Sequence, residues 1–130
     1  MDRRYFLKYL TTLPLIIFNL KDYNFPKKSE NVTLLETQLA GFQYYGGENV
    51  WKKLKPKQTL SLKREPQNSY DENAIEVYWK GVKLGYIPRV DNEIIANLMD
   101  QKKEVKASIK NKRLSRNPWE RVEIKVELLG

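Results

Sequence analysis

Between residue 59 and the C-terminus, apolar and polar residues trade places with period two over four stretches. Leu60 and Leu62 stand between Thr59, Ser61 and Lys63, and Ile75, Val77 and Trp79 alternate with Glu76 and Tyr78. Val105, Ala107 and Ile109 alternate with Lys106 and Ser108, and Val122, Ile124, Val126 and Leu128 with Arg121, Glu123, Lys125 and Glu127. Successive side chains of a strand point to opposite faces, so each stretch predicts a strand with one wet face. Leu35 to Phe42 reads as a first strand and Val82 to Ile87 as another, entered through a Lys80-Gly81 turn, which brings the count to about six. Ile94, Ile95, Leu98 and Met99 instead follow helical spacing, with Asp91 placed to cap the helix and Glu93 in its first turn. A second short helix is expected over Glu48 to Leu54. The fold class is therefore mainly β with two short helices. So small a set of antiparallel strands must manage its edges, which favours a closed or partly open barrel.

The pattern changes before residue 34. Asp2-Arg3-Arg4-Tyr5-Phe6-Leu7-Lys8 leads into a mostly apolar run, Tyr9 to Leu20, and then into polar residues up to Glu30. As a helix the run would reach about 18 Å, against a hydrocarbon thickness of roughly 30 Å, which is short for a membrane span but the size of a signal-peptide apolar region. The paired arginines followed by Phe-Leu-Lys resemble the twin-arginine export signal of bacteria, with Asp2 where Ser or Thr is usual. The resemblance implies export by that route. Residues 18–30 contain no Ala for a small-residue cleavage site, so an uncleaved leader would leave the protein membrane-anchored through residues 1–30. The alternative is a basic N-terminal arm on a cytoplasmic protein. Two segments result: residues 1–30 as leader or anchor and linker, and residues 34–130 as one domain.

Composition narrows the chemistry. The 130 residues include no Cys and no His, which excludes disulfides, thiolate or imidazole zinc sites and His-activated nucleophiles. A formal charge of +8 with 12% aromatic residues favours a polyanionic partner, with nucleic acid ahead of an anionic membrane surface. From Leu34 onward 18 Lys and Arg still face 13 Asp and Glu, so the excess is not confined to the leader. What remains open is Asp and Glu with a magnesium-type cation, Lys or Tyr chemistry, or no catalysis at all. Asp71 and Glu72 form a single acidic pair without further clustered ligands, which argues against a nuclease.

Three segments place polar and aromatic groups where strands end. Ala40-Gly41-Phe42-Gln43-Tyr44-Tyr45-Gly46-Gly47 sets two tyrosines between glycines, and alternation turns one of them inward. Arg64-Glu65-Pro66-Gln67-Asn68-Ser69-Tyr70-Asp71-Glu72-Asn73-Ala74-Ile75 joins two strands through a loop that presents Tyr70 and Asp71. Gly85-Tyr86-Ile87-Pro88-Arg89 ends a strand with a ring and a guanidinium just before a helix. In this order and spacing the segments resemble the HIRAN domain, from about Thr37 to Leu129. The likeness is strongest to small standalone bacterial members, which also carry a segment like Ser115-Arg116-Asn117-Pro118-Trp119-Glu120-Arg121.

The resemblance implies an OB-like barrel that binds single-stranded DNA, down to capture of its 3′ end, with no catalysis and no cofactor or metal of its own. In that reading Tyr44 and Tyr70 pack on bases or sugar, Asp71 accepts a hydrogen bond from the terminal hydroxyl, and Arg89 contacts phosphate. Tyr86 stands where relatives often carry His, and Gln43 where end-binding relatives carry Arg. Trp119 lies in a region where an aromatic residue can meet a base. Each residue also has a structural alternative. Asp71 could cap its own turn near Asn73, Arg89 could pair with Asp91 or Glu93, and the side chain of Asn73 could satisfy turn backbone. Lys106 and Lys110, on one strand face, could line a strand-binding track. An exported protein would meet another polyanion, a lipid surface or a protein more readily than DNA.

Overall fold

A computed structural model describes residues 30–130; the leader segment lies outside the described residues, and with it the twin-arginine and anchoring expectations. Six strands form: β1 (Val32–Gln38), β2 (Thr59–Arg64), β3 (Ile75–Trp79), β4 (Val82–Tyr86), β5 (Val105–Lys112) and β6 (Val122–Leu128). Two short helices join them, α1 (Gly47–Val50) and α2 (Glu93–Asp100), with 3-10 turns at Phe42–Tyr44, Trp51–Lys53, Arg89–Asp91 and Pro118–Glu120. Every strand pairing is antiparallel, in the order β1-β6-β5-β2-β3-β4.

The two ends of that order meet. Ala40, just past β1, and Tyr86, at the end of β4, exchange both backbone hydrogen bonds at 2.9 Å, and this bridge closes the sheet into a barrel. The closure depends on a missing side chain: a Cβ on Gly85, whose φ is +156°, would lie 2.2 Å from the Ala40 carbonyl oxygen. Inside, Leu39, Phe42, Leu54, Ile75, Val77, Leu84, Ile95, Ile109 and Ile124 are almost wholly buried, and every strand from β3 to β6 contributes to them. The edge of Phe42 meets Trp51 with ring centroids 5.8 Å apart. Lys80 and Gly81 both take positive φ, 44° and 80°, the geometry of a two-residue hairpin turn matched to the twist of β3 and β4.

Two expectations are corrected. The first strand lies earlier than Leu35–Phe42: it spans Val32–Gln38, and the chain swings away at Gly41, with φ +74°, so that Phe42 enters a buried turn. Asp91 does not cap α2. Asn92 occupies that position, while Asp91 sits in the preceding turn and accepts a hydrogen bond from the Thr37 hydroxyl at 2.8 Å. The 3-10 turn uses up the residue that spacing had offered to the helix, and ties the start of α2 to β1.

Candidate functional site

The loop between β2 and β3 is built to hold one shape. Arg64, the last residue of β2, donates to the Ala74 carbonyl (2.7 Å) and the Glu72 carbonyl (2.9 Å), and its guanidinium grips Asp100 at the end of α2 at 2.9 and 3.2 Å. One planar fork thus closes the loop and fastens it to the helix. Asn68 organises the tip: its amide donates to Glu65 (2.6 Å), and its oxygen accepts from the backbone N–H of Tyr70 (2.8 Å) and Asp71 (3.1 Å). The expectation that the Asn73 side chain does this work is corrected; Asn68, two residues before Tyr70, is placed to make an Asx turn.

Asp71 makes the turn cap that stood as the structural alternative to its binding role. One carboxylate oxygen accepts from the Asn73 N–H at 3.0 Å and the other from the Asn92 amide at 2.7 Å. Asn92 is itself almost fully buried at the start of α2, so the carboxylate is braced between loop and helix. A carboxylate has about four acceptor positions, and among the described residues two of Asp71's remain open.

This bracing leaves an open cleft of about 520 Å³ between residues 68–73 and residues 89–93. Tyr70 stands on its rim, 87% exposed. Arg89 lines the opposite wall, exposed, and among the described residues it forms no ion pair, so the expected alternative of pairing with Asp91 or Glu93 is not realised. Asp71 and Glu72 on the loop wall and Glu93 on the same wall as Arg89 line the cleft together with this one cation. Among the described residues no three acidic side chains gather as metal ligands would.

The other tyrosines lie at the barrel closure. Tyr86 is half-buried: its hydroxyl donates to Glu65 (3.0 Å) and accepts from Lys83 (2.9 Å). The Lys83 ammonium lies 4.3 Å from the ring centres of both Tyr45 and Tyr86, and 3.3 Å from the buried Glu76 carboxylate. Burial alone would lower the pKa of Lys83, but the hydrogen bonds to Tyr86 and Glu76 prevail and hold it well above the ordinary lysine value. For Glu76 burial would raise the pKa, yet hydrogen bonds from Tyr78 and its neighbours and the nearby ammonium bring it below the ordinary carboxylate value. Tyr45 leans edge-on against Tyr86 at 5.9 Å, whereas Tyr44 turns outward and is 77% exposed.

Of the five residues singled out, Tyr70, Asp71 and Arg89 therefore share the cleft. Tyr86 is joined to their loop through Glu65, and Tyr44 projects from the adjoining turn. That turn packs beside Pro118–Glu120, which carries the exposed Trp119. The lysine track divides: Lys106 is exposed, but Lys110 is held by Glu36 and Glu123. Arg64, Asn68, Lys83 and Asn92 were not apparent from the sequence. Asn68 alone carried a local signal, the Pro-Gln-Asn turn composition.

A closed six-stranded antiparallel barrel with a helix before its fifth strand and a polar cleft at one rim defines a small OB-type domain. The chain belongs to the HIRAN domain family, whose family model matches residues 32–129. A crystal structure of a protein from Lactobacillus plantarum superposes with a TM-score of 0.65 at 28% identity, covering 75% of this chain and 94% of that one. The HIRAN domain of human HLTF superposes with a TM-score of 0.58 at 22% identity, covering 76% and 78%. A Fanconi-associated nuclease 1 homolog of Oryza sativa subsp. japonica is 32% identical over 77 residues, which are 56% of this chain and 8% of that protein.

Proposed function

We propose that the chain binds single-stranded DNA without catalysis of its own and takes a free 3′-hydroxyl end into the cleft. One observation carries the reading: the cleft combines an exposed ring, a lone guanidinium and a braced carboxylate with open acceptor positions. Three carboxylates against one arginine make this a poor seat for a run of phosphates, which Asp71, Glu72 and Glu93 would repel. They suit a group that donates hydrogen bonds. A terminal sugar hydroxyl is such a donor and sits beside a single phosphate, which Arg89 can meet while Tyr70 stacks on the last base or its sugar. Tyr44 and Trp119 would carry the preceding bases along the rim, and the basic excess of the domain supplies the salt-dependent attraction. A Fanconi-associated nuclease 1 homolog matches 77 residues of this chain, in keeping with a nucleic-acid ligand.

The test is fluorescence anisotropy of a labelled oligothymidine ending in either 3′-hydroxyl or 3′-phosphate. The hydroxyl end binds about tenfold more tightly, and the preference disappears in Asp71→Ala. Equal binding of both ends, abolished by moderate salt, would sink the end-capture reading and leave only a basic surface.

Residues 1–30 favour a second reading, that of an exported or membrane-anchored domain whose ligand is another polyanion, an anionic lipid surface or a protein. Fractionation of the full-length protein distinguishes the two. Export predicts an envelope location that shifts to the cytosol when Arg3 and Arg4 are both replaced by Lys, and an unchanged cytosolic location contradicts it.

A further inference from the structure

The barrel seam opens beyond Leu60. β2 pairs with β5 at Thr59–Ser108 and Leu60–Ala107, and backbone bonds linking Lys57 and Gln58 to Ile109 (2.7 and 2.9 Å) continue that pairing toward the loop. In the other direction the strands part. Among the described residues, β2 from Ser61 to Arg64 is laddered only to β3, and Val105 and Lys106 only to β6. Two strand flanks thus face each other across an open groove of about 610 Å³, without partners on the facing side among the described residues.

The groove has a definite chemistry. Leu60, Leu62, Met99, Val105 and Leu129 give it an apolar floor, and Lys102 and Lys103 line its rim with Glu104 as the one acid. The exposed Lys63 and Lys106 flank it on the two strands. No aromatic residue lines it, so it offers nucleic-acid bases no stacking surface. It lies at the Asp100 end of α2, whereas the cleft lies at the Asn92 end, about 12 Å away along an eight-residue helix.

An open strand flank is a template for another strand, and added strands are held by main-chain hydrogen bonds with side chains alternating between floor and solvent. We infer that this groove binds an extended segment of a partner protein, alternating apolar with acidic residues, as an added strand along β2. Every second side chain enters the floor between Leu62, Met99 and Val105. The acidic residues between them meet Lys102, Lys103 and the flanking lysines. This inference is independent of the DNA reading, because it uses no residue of the cleft.

The experiment titrates the full chain into three fluorescein-labelled ten-residue peptides: alternating Val and Glu, alternating Val and Lys, and the Val-Glu peptide with every backbone amide N-methylated, so that neither edge keeps its donors. The Val-Glu peptide binds, and the other two bind at least tenfold more weakly, since one loses charge complementarity and the other loses strand donors. The double variant Lys102→Glu, Lys103→Glu loses at least tenfold for the Val-Glu peptide while Arg89→Ala retains full affinity. On binding, amide exchange slows at Ser61–Lys63 and Val105. Absence of Val-Glu binding at millimolar peptide, or equal binding of the N-methylated peptide, overturns the inference. Loss of oligothymidine binding in the double variant, with no peptide effect, would assign the groove to nucleic acid instead.

Discussion

Tyr70 and Tyr86 are joined by one chain of hydrogen bonds, yet they meet opposite surroundings. Tyr86 is locked at the barrel closure, its hydroxyl shared between Glu65 and Lys83 and its ring faced by an ammonium. Tyr70 stands clear of the protein on a loop whose backbone is held by Asn68 and Arg64. Both are aromatic residues at strand ends and look equivalent as motif positions. The difference is one of uncommitted valence: Tyr86 has spent its polar group and one ring face on the fold, whereas Tyr70 has spent neither. Rigid, satisfied residues at the closure hold a loop whose outward groups remain free, so the two places fail in different ways when altered.

The largest effect is expected where the closure admits no extra atom. Gly85→Ala sets a Cβ 2.2 Å from the Ala40 carbonyl, against backbone that cannot retreat without breaking the Ala40–Tyr86 bridge. We expect a loss of about 3 kcal/mol or more in chemical denaturation, with DNA affinity falling only as far as the folded fraction falls. A stable Gly85→Ala protein would show that the bridge is dispensable.

Next comes Lys83→Met, which keeps the side-chain length but leaves Glu76, 7% exposed, without its ammonium. Removing one partner of such a pair is expected to cost about 2 kcal/mol, discounted for the partial exposure of Lys83. The cost depends on pH. Because the Glu76 pKa is held below its ordinary 4.5, its contribution is present above that pH and is lost as pH falls through the folded value. Because the Lys83 pKa is raised above 10.5, its contribution is complete below that pH and is lost as pH rises through the folded value. Wild type and variant should therefore differ most between about pH 5 and 10 and converge toward the acid side, as followed by thermal melts in a pH series.

Much of this architecture was legible because burial is periodic. β2, β3, β5 and β6 follow directly from alternating apolar positions, and the helix at Glu93–Asp100 from Ile95 and Met99 one turn apart. The first strand was misplaced because apolar residues continue through Leu39 and Phe42. They are buried in a closure and a turn, and a hydrophobic pattern cannot separate those from a strand. The cleft residues were legible through their motif. Their bracing was not, since Arg64–Asp100 and Asp71–Asn92 join residues 36 and 21 positions apart, and only the barrel brings them together. The same holds for Lys83, whose surface-type residue identity conceals a place among two tyrosines and a buried glutamate.

On the open side, Tyr70→Ala should lower oligothymidine affinity by about 1 to 2 kcal/mol while leaving stability within about 0.5 kcal/mol, because the exposed ring packs on no core and, in the proposed reading, stacks on the ligand. Tyr86→Phe reverses the ratio: it keeps the ring but leaves Glu65 and Lys83 each short of one partner, so stability falls more than affinity. If both variants changed stability and affinity in the same proportion, the distinction between locked and presented rings would fail.

The smallest effect distinguishes a phosphate contact from a general field. Arg89 is exposed and makes no ion pair among the described residues, so Arg89→Ala should leave the melting temperature unchanged. If its guanidinium meets one phosphate, the slope of log affinity against log salt shallows by about 0.7, the increment for a single contact on a single strand. The affinity loss at moderate salt would be only a few fold. A charge acting at a distance across the cleft would instead be equally well served by Lys at position 89. Arg89→Lys separates the cases, because a flexible ammonium cannot reproduce the two parallel hydrogen bonds of a guanidinium fork on one phosphate. Retention of full affinity by Arg89→Lys would reduce Arg89 to part of the basic surface, and would leave Asp71 and Tyr70 as the residues that recognise the end.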